Sequence, residues 1–81
     1  MAIITLQETL NKMSTGQPFD ITFIKADRQR DQGGQIRREV QCTQLGIDFA
    51  HQIRRIKLRS GRIRNVHIRL ITEFNGAKVV Y

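Results

Sequence analysis

Tryptophan is missing from this chain, and cysteine and proline each occur once. The lone Cys42 excludes an intramolecular disulfide and a zinc site built from several thiolates, and it suits a reducing compartment. No apolar run approaches the ~20 residues that span a bilayer, so no membrane partner is expected. The opening Met-Ala-Ile-Ile-Thr-Leu-Gln-Glu lacks the basic segment and apolar length of a secretory signal. The expected address is the cytoplasm. Histidine occurs twice, at His51 and His67, in neither HxH nor HxxxH spacing, so no metal site is read. Asp20, Asp27, Asp31, Glu39 and Asp48 are scattered, and Asp27 and Asp31 flank Arg28 and Arg30 as charge balance. Gln32-Gly33-Gly34-Gln35 is too short for a phosphate loop. No nucleophile stands beside a base. The expectation is a protein without catalytic residues or cofactor.

Acidic residues are missing altogether from Phe49 to Thr72, and this absence decides the reading. Those 24 residues hold seven cations: Arg54, Arg55, Lys57, Arg59, Arg62, Arg64 and Arg69. The whole chain carries fourteen Lys and Arg against seven Asp and Glu, a net charge of +7. The rest of the chain is therefore neutral, and the excess sits in one segment. Six of the seven are Arg, whose planar fork suits phosphate better than an ammonium does. A concentrated Arg field points to a polyanion.

The 81 residues suffice for one domain, residues 1–81, with a small core. Thr5 and Glu8 fit a capping box, and Leu6, Leu10 and Met13 form one stripe of a short helix that Gly16 and Pro18 end. Phe19–Arg28 and Gln35–Thr43 read as strands around the turn Asp31-Gln32-Gly33-Gly34. In the second strand Ile36, Val40 and Cys42 should face the core and Arg37, Glu39 and Gln41 the solvent. Leu45–Gln52 reads either as a loop or as a single helical turn capped by Asp48. Ile53–Leu58 and Ile63–Phe74 read as strands, with a bulge near Arg64-Asn65 to bring Ile63 into phase. Asn75-Gly76 signals a type I′ hairpin that places Glu73 opposite Lys78. The expected fold is α+β and mostly β: a short N-terminal helix packed on a curved five-stranded antiparallel sheet or small OB/SH3-like barrel. The terminal strand Ala77–Tyr81 would leave an exposed edge, and with it room for a homodimer.

With Ser60-Gly61 as a two-residue loop, Lys57 would face Arg64 and Arg59 would face Arg62. Like charges opposite one another destabilise a hairpin, and an anion over that surface would relieve them. The bland alternative is that Arg stems cover apolar surface and keep a chain soluble. The expected function is non-enzymatic binding of nucleic acid through its phosphates by Arg54, Arg55, Lys57, Arg59, Arg62, Arg64 and Arg69, joined by Arg37. A single strand is the favoured substrate, and Phe49 and Tyr81 are the candidates for base stacking. The alternative is a structural, assembly or protein-interaction component whose hairpin edge pairs with another chain.

Two segments carry a resemblance. They are Pro18–Arg28 (PFDITFIKADR) followed by Gly33-Gly34-Gln35-Ile36, and His67-Ile68-Arg69-Leu70-Ile71 followed by Phe74-Asn75-Gly76. In these the chain is similar to small proteins encoded by bacteriophages and related mobile elements. The resemblance implies a compact accessory protein that binds the genome or serves in the virion or its assembly, located in the host cytoplasm or the virion. It brings no active residues.

Overall fold

The computed structural model describes residues 2–25 and 35–81. The elements run β1 (Ile3–Thr5), α1 (Leu6–Met13), β2 (Phe19–Ile24), β3 (Ile36–Asp48), β4 (Ile53–Lys57), β5 (Ile63–His67), a 3₁₀ turn (Ile68–Leu70), β6 (Ile71–Phe74) and β7 (Ala77–Val80). The fold is α+β and mostly β, as the sequence suggests. The sheet differs from the expected five antiparallel strands or small barrel: among the described residues it has seven strands in the order β1-β7-β6-β2-β3-β4-β5, with β1 parallel to β7. β1 and β5 stand at opposite ends, so the sheet is open.

The helix forms as its cap dictates. Thr5 Oγ1 accepts from the Glu8 N–H at 3.1 Å, and Gly16 at φ 85° lies just past the helix end. α1 packs on the β1–β7 end of the sheet. Met13 is fully buried, with Leu6 and Leu10 against the same core. Thr9 is buried too, and its hydroxyl donates to Thr5 O at 2.9 Å. Phe19, Ile21 and Phe23 enter the core from β2, and Phe19 meets Phe74 with ring centres 5.3 Å apart. That tilted pair adds about 0.5–1.5 kcal/mol beyond area burial.

β3 reverses part of the expected facing. Its first half pairs with β2 and its second half with β4. Gln41 sits at φ 53°, at a register shift between the two halves of the β2 pairing. The extra residue flips alternation, because a one-residue slip moves every side chain to the other face. Cys42 is buried as expected, but Ile36 and Val40 face outward, while Arg37 and Glu39 are half-buried opposite Phe23 and Ile21. The bulge is clamped: Asp20 Oδ1 accepts from the Gln41 N–H at 3.1 Å.

Three further differences concern the second half. Leu45–Asp48 continues β3, and Asp48 Oδ1 accepts from the His51 N–H in the turn that follows. β5 is in regular register with β4, so the break expected at Arg64-Asn65 occurs instead at the 3₁₀ turn Ile68–Leu70. The edge of β7 is covered by β1, so the open strands are β1 and β5 rather than the C-terminal strand. The Asn75-Gly76 hairpin forms as read, with Glu73 opposite Lys78 and Phe74 opposite Ala77. The turn expected at Asp31–Gly34 lies outside the described residues, as do Asp27, Arg28 and Arg30. Among the described residues, no helix is long and apolar enough to cross a membrane.

Candidate nucleic-acid interface

The β4–β5 hairpin is where the basic residues meet, and its register decides which of them share a surface. Lys57 pairs with Ile63, Ile56 with Arg64, Arg55 with Asn65, Arg54 with Val66 and Ile53 with His67. The connection is one residue longer than Ser60-Gly61 suggested. The Gly61 N–H donates to Leu58 O at 2.9 Å, and the Leu58 N–H donates to Arg62 O at 2.8 Å. Arg59, Ser60 and Gly61 thus form a three-residue loop, with Gly61 at φ 92° in the left-handed position such loops demand. The expected opposition of Lys57 to Arg64 and of Arg59 to Arg62 does not occur. The hairpin sets no two like charges directly opposite one another, so cross-strand repulsion does not call for an anion here.

With β3 added, the register builds an exposed face three strands wide. Thr43, Lys57 and Ile63 form one row, Gly46, Arg55 and Asn65 the next, and Asp48, Ile53 and His67 the third. Arg55 and Lys57 are exposed on this face, and Arg59 and Arg62 are exposed in the adjoining loop. These four are the exposed cations of the β4–β5 hairpin. No Lys or Arg among the described residues pairs with a carboxylate within 4 Å.

The other expected residues lie elsewhere. Arg54 points to the opposite, core-facing side and is 7% exposed. Its guanidinium stacks on the Phe49 ring at 5.6 Å, its Nε has no acceptor, and burial lowers its pKa. Arg64 is half-buried on the same side. With the half-buried Arg37 it borders a groove of about 390 Å³ that also takes in Phe23, Glu39, His67 and Leu70. Arg69 is exposed on the 3₁₀ turn, where its charge acts on the Tyr81 phenol.

Of the two stacking candidates, Phe49 is 78% exposed with Arg54 behind it. Tyr81 is tethered: its hydroxyl donates to Ile71 O at 2.7 Å and contacts Ile68 O at 3.2 Å, and burial raises its pKa. It serves first as a clasp between the chain end and the 3₁₀ turn. His67 is half-buried, and its Nδ1 accepts from the Arg69 N–H at 3.2 Å, which leaves Nε2 to carry the proton of the neutral ring. His51 Nδ1 lies 2.8 Å from Asp48 Oδ2, and this contact is the main reason the Asp48 carboxyl sits below its ordinary range. Burial pushes the Cys42 thiol up to about 11, as suits an inert core thiol.

In the sequence Gly46 is not singled out, and Asn65 is read only as part of a bulge. A glycine inside a strand was the available signal, but only the register places it beside Arg55. No protein-family model matches the chain, and neither does any curated protein or solved structure. The expected likeness to bacteriophage proteins finds no support in these comparisons.

Proposed function

We propose that this protein is a non-enzymatic nucleic-acid-binding domain that grips phosphates with Arg55, Lys57, Arg59 and Arg62 of the β4–β5 hairpin. The observation that carries this reading is their arrangement. All four are exposed on one face and its adjoining loop, and none is neutralised by a carboxylate among the described residues. Solvated cations without internal partners exchange bound counterions for phosphate at little structural cost, and release of those counterions drives binding. Four phosphate contacts give a log–log salt slope of about −3.6 on duplex and about −2.8 on a single strand. The favoured substrate is a single strand, and the exposed aromatic ring open to its bases is Phe49, which lies over Arg54 on the side opposite Arg55 and Lys57.

The test is fluorescence anisotropy of a labelled single strand and its duplex, titrated with protein over a salt series. Steeply salt-dependent binding with a preference for the single strand is the expected result. No binding to either at low salt would end the nucleic-acid reading.

One observation favours a second reading, a structural or assembly component. β5 is an open edge that carries Ile63 at 55% exposure, and such an edge can add a strand from another chain. Absence of nucleic-acid binding together with a homogeneous oligomer would favour it.

A further inference from the structure

At the centre of the β3–β4–β5 face lies a hollow of about 180 Å³ bordered by Gly46, Asp48, Ile53, Arg55 and Asn65. We propose that this hollow seats one nucleobase of a bound single strand, an assignment that rests on the nucleic-acid reading above.

Gly46 borders the hollow and puts no side chain into it. Gly46 is not in a left-handed conformation, and a Cβ built there meets no atom within 4 Å. Gly46 follows directly on the register shift where β3 gains a residue over β4, a bulge at which glycine is common, and no tight packing around it calls for glycine. Its lack of a side chain leaves space beside Arg55. That space is smaller than the roughly 300–1,000 Å³ that drug-sized ligands occupy, and it suits a single planar ring system.

The lining separates a base from a phosphate. Asp48 sets a carboxylate in the lining without forming an ion pair with Arg55, so a phosphate is repelled from the inside of the hollow while Arg55 stays open to one at its rim. Arg55 offers donors and Asn65 both donors and an acceptor, while Ile53 supplies apolar surface, and the Asp48 oxygens are already held by His51. This is the mixture that reads the edge of an unstacked base. The other phosphate-gripping cations stand next to the hollow: Lys57 lies one row away from Arg55 on the same face, and Arg59 and Arg62 follow in and just after the loop. Phosphates tracking those residues leave a base free to turn into the hollow. A duplex, whose bases are stacked inside, presents none.

The test uses Gly46→Val, a strand-compatible residue that fills the hollow, and Asn65→Ala, which removes a polar edge from an exposed position. Each is titrated against a labelled 20-nucleotide single strand and the matching duplex, with thermal melting to verify the fold. Gly46→Val is expected to weaken single-strand binding about tenfold, the worth of contacts to one base, and to leave duplex binding unchanged. Asn65→Ala should weaken the single strand alone, to a smaller extent, and it decides the matter if Gly46→Val fails to fold. Unchanged single-strand affinity, or equal loss on both substrates, overturns the base seat while the phosphate reading stands. Wild-type protein that binds neither substrate overturns the parent reading and the seat together.

Discussion

The guanidinium carbon of Arg54 lies 5.6 Å from the centre of the Phe49 ring. The ring is the exposed partner and the cation the buried one, so a turn residue covers an arginine that its own strand turns toward the core. Arg54 has no carboxylate partner among the described residues, and its Nε has no acceptor. A buried cation in that condition costs stability. Arg54→Met keeps the stem and removes the charge. It should raise the thermal midpoint, about 4–8 °C for each kcal/mol gained in a domain of this size, and leave the phosphate contacts of the opposite face intact. Thermal melting and anisotropy check both halves. A marked loss of affinity would place Arg54 at the interface after all.

Arg59 and Arg62 are exposed on either side of the Ser60-Gly61 turn and take no part in the core. Reversing both, as Arg59→Glu with Arg62→Glu, should weaken binding to all sequences alike. The single-strand salt slope should fall by about 1.4 through loss of two phosphate contacts. Anisotropy with several unrelated sequences reads this directly. Loss confined to one sequence would mean that base reading, rather than phosphate, dominates the loop.

Why the two hairpins were unequally legible can be put in physical terms. Asn75-Gly76 supplies two residues that tolerate positive φ, observed at 49° and 82°, so the turn type and the Glu73–Lys78 register follow together. Ser60-Gly61 supplies one such residue. Gly61 serves a three-residue loop as readily as a two-residue one, and the difference of one residue moves Lys57 from Arg64 to Ile63. The bulge at Gln41 carries no glycine to announce it, so the facing of Arg37 and Ile36 was read in reverse. β1 has three residues and pairs with a strand at the far end of the chain, beyond the reach of local periodicity. The charge of the hairpin was plain in the sequence. Which charges share a face depended on register, and so did the place of Gly46 beside Arg55.

Asn75 does more than turn the chain. Its side-chain oxygen accepts from the Asp20 N–H at 2.8 Å, and its own N–H donates to Asp20 O at 2.8 Å. Asp20 in turn clamps the Gln41 bulge. Asn75→Gly keeps the positive φ and removes only the side-chain bond, so it should destabilise by about 1 kcal/mol. Asp20→Ala, which frees the bulge, should cost a similar amount, and the pair should be non-additive because both act through one residue. Chemical denaturation of the two single variants and the double variant measures this. Strict additivity would show that the turn and the bulge are independent.

Cys42 gives the stability a dependence on alkaline pH whose sign can be worked out. In the folded protein burial is the main cause that holds the thiol protonated up to about 11, with Glu39 and Asp20 adding to it, against an ordinary value of 9.0. The unfolded chain releases this proton first, so as pH rises the unfolded state binds fewer protons than the folded one. Stability linked to the thiol is therefore fully present below pH 9 and is lost between about 9 and 11. Cys42→Ala removes the titration at the cost of a small cavity. Its thermal midpoint should lie below that of the wild type at neutral pH, and the gap should narrow as pH climbs through that window. Every other group is shared by the two proteins, so the difference between the two curves isolates the thiol. A gap that stays constant from pH 8 to 11 would mean that Cys42 ionises equally in both states and is open to water in the folded protein.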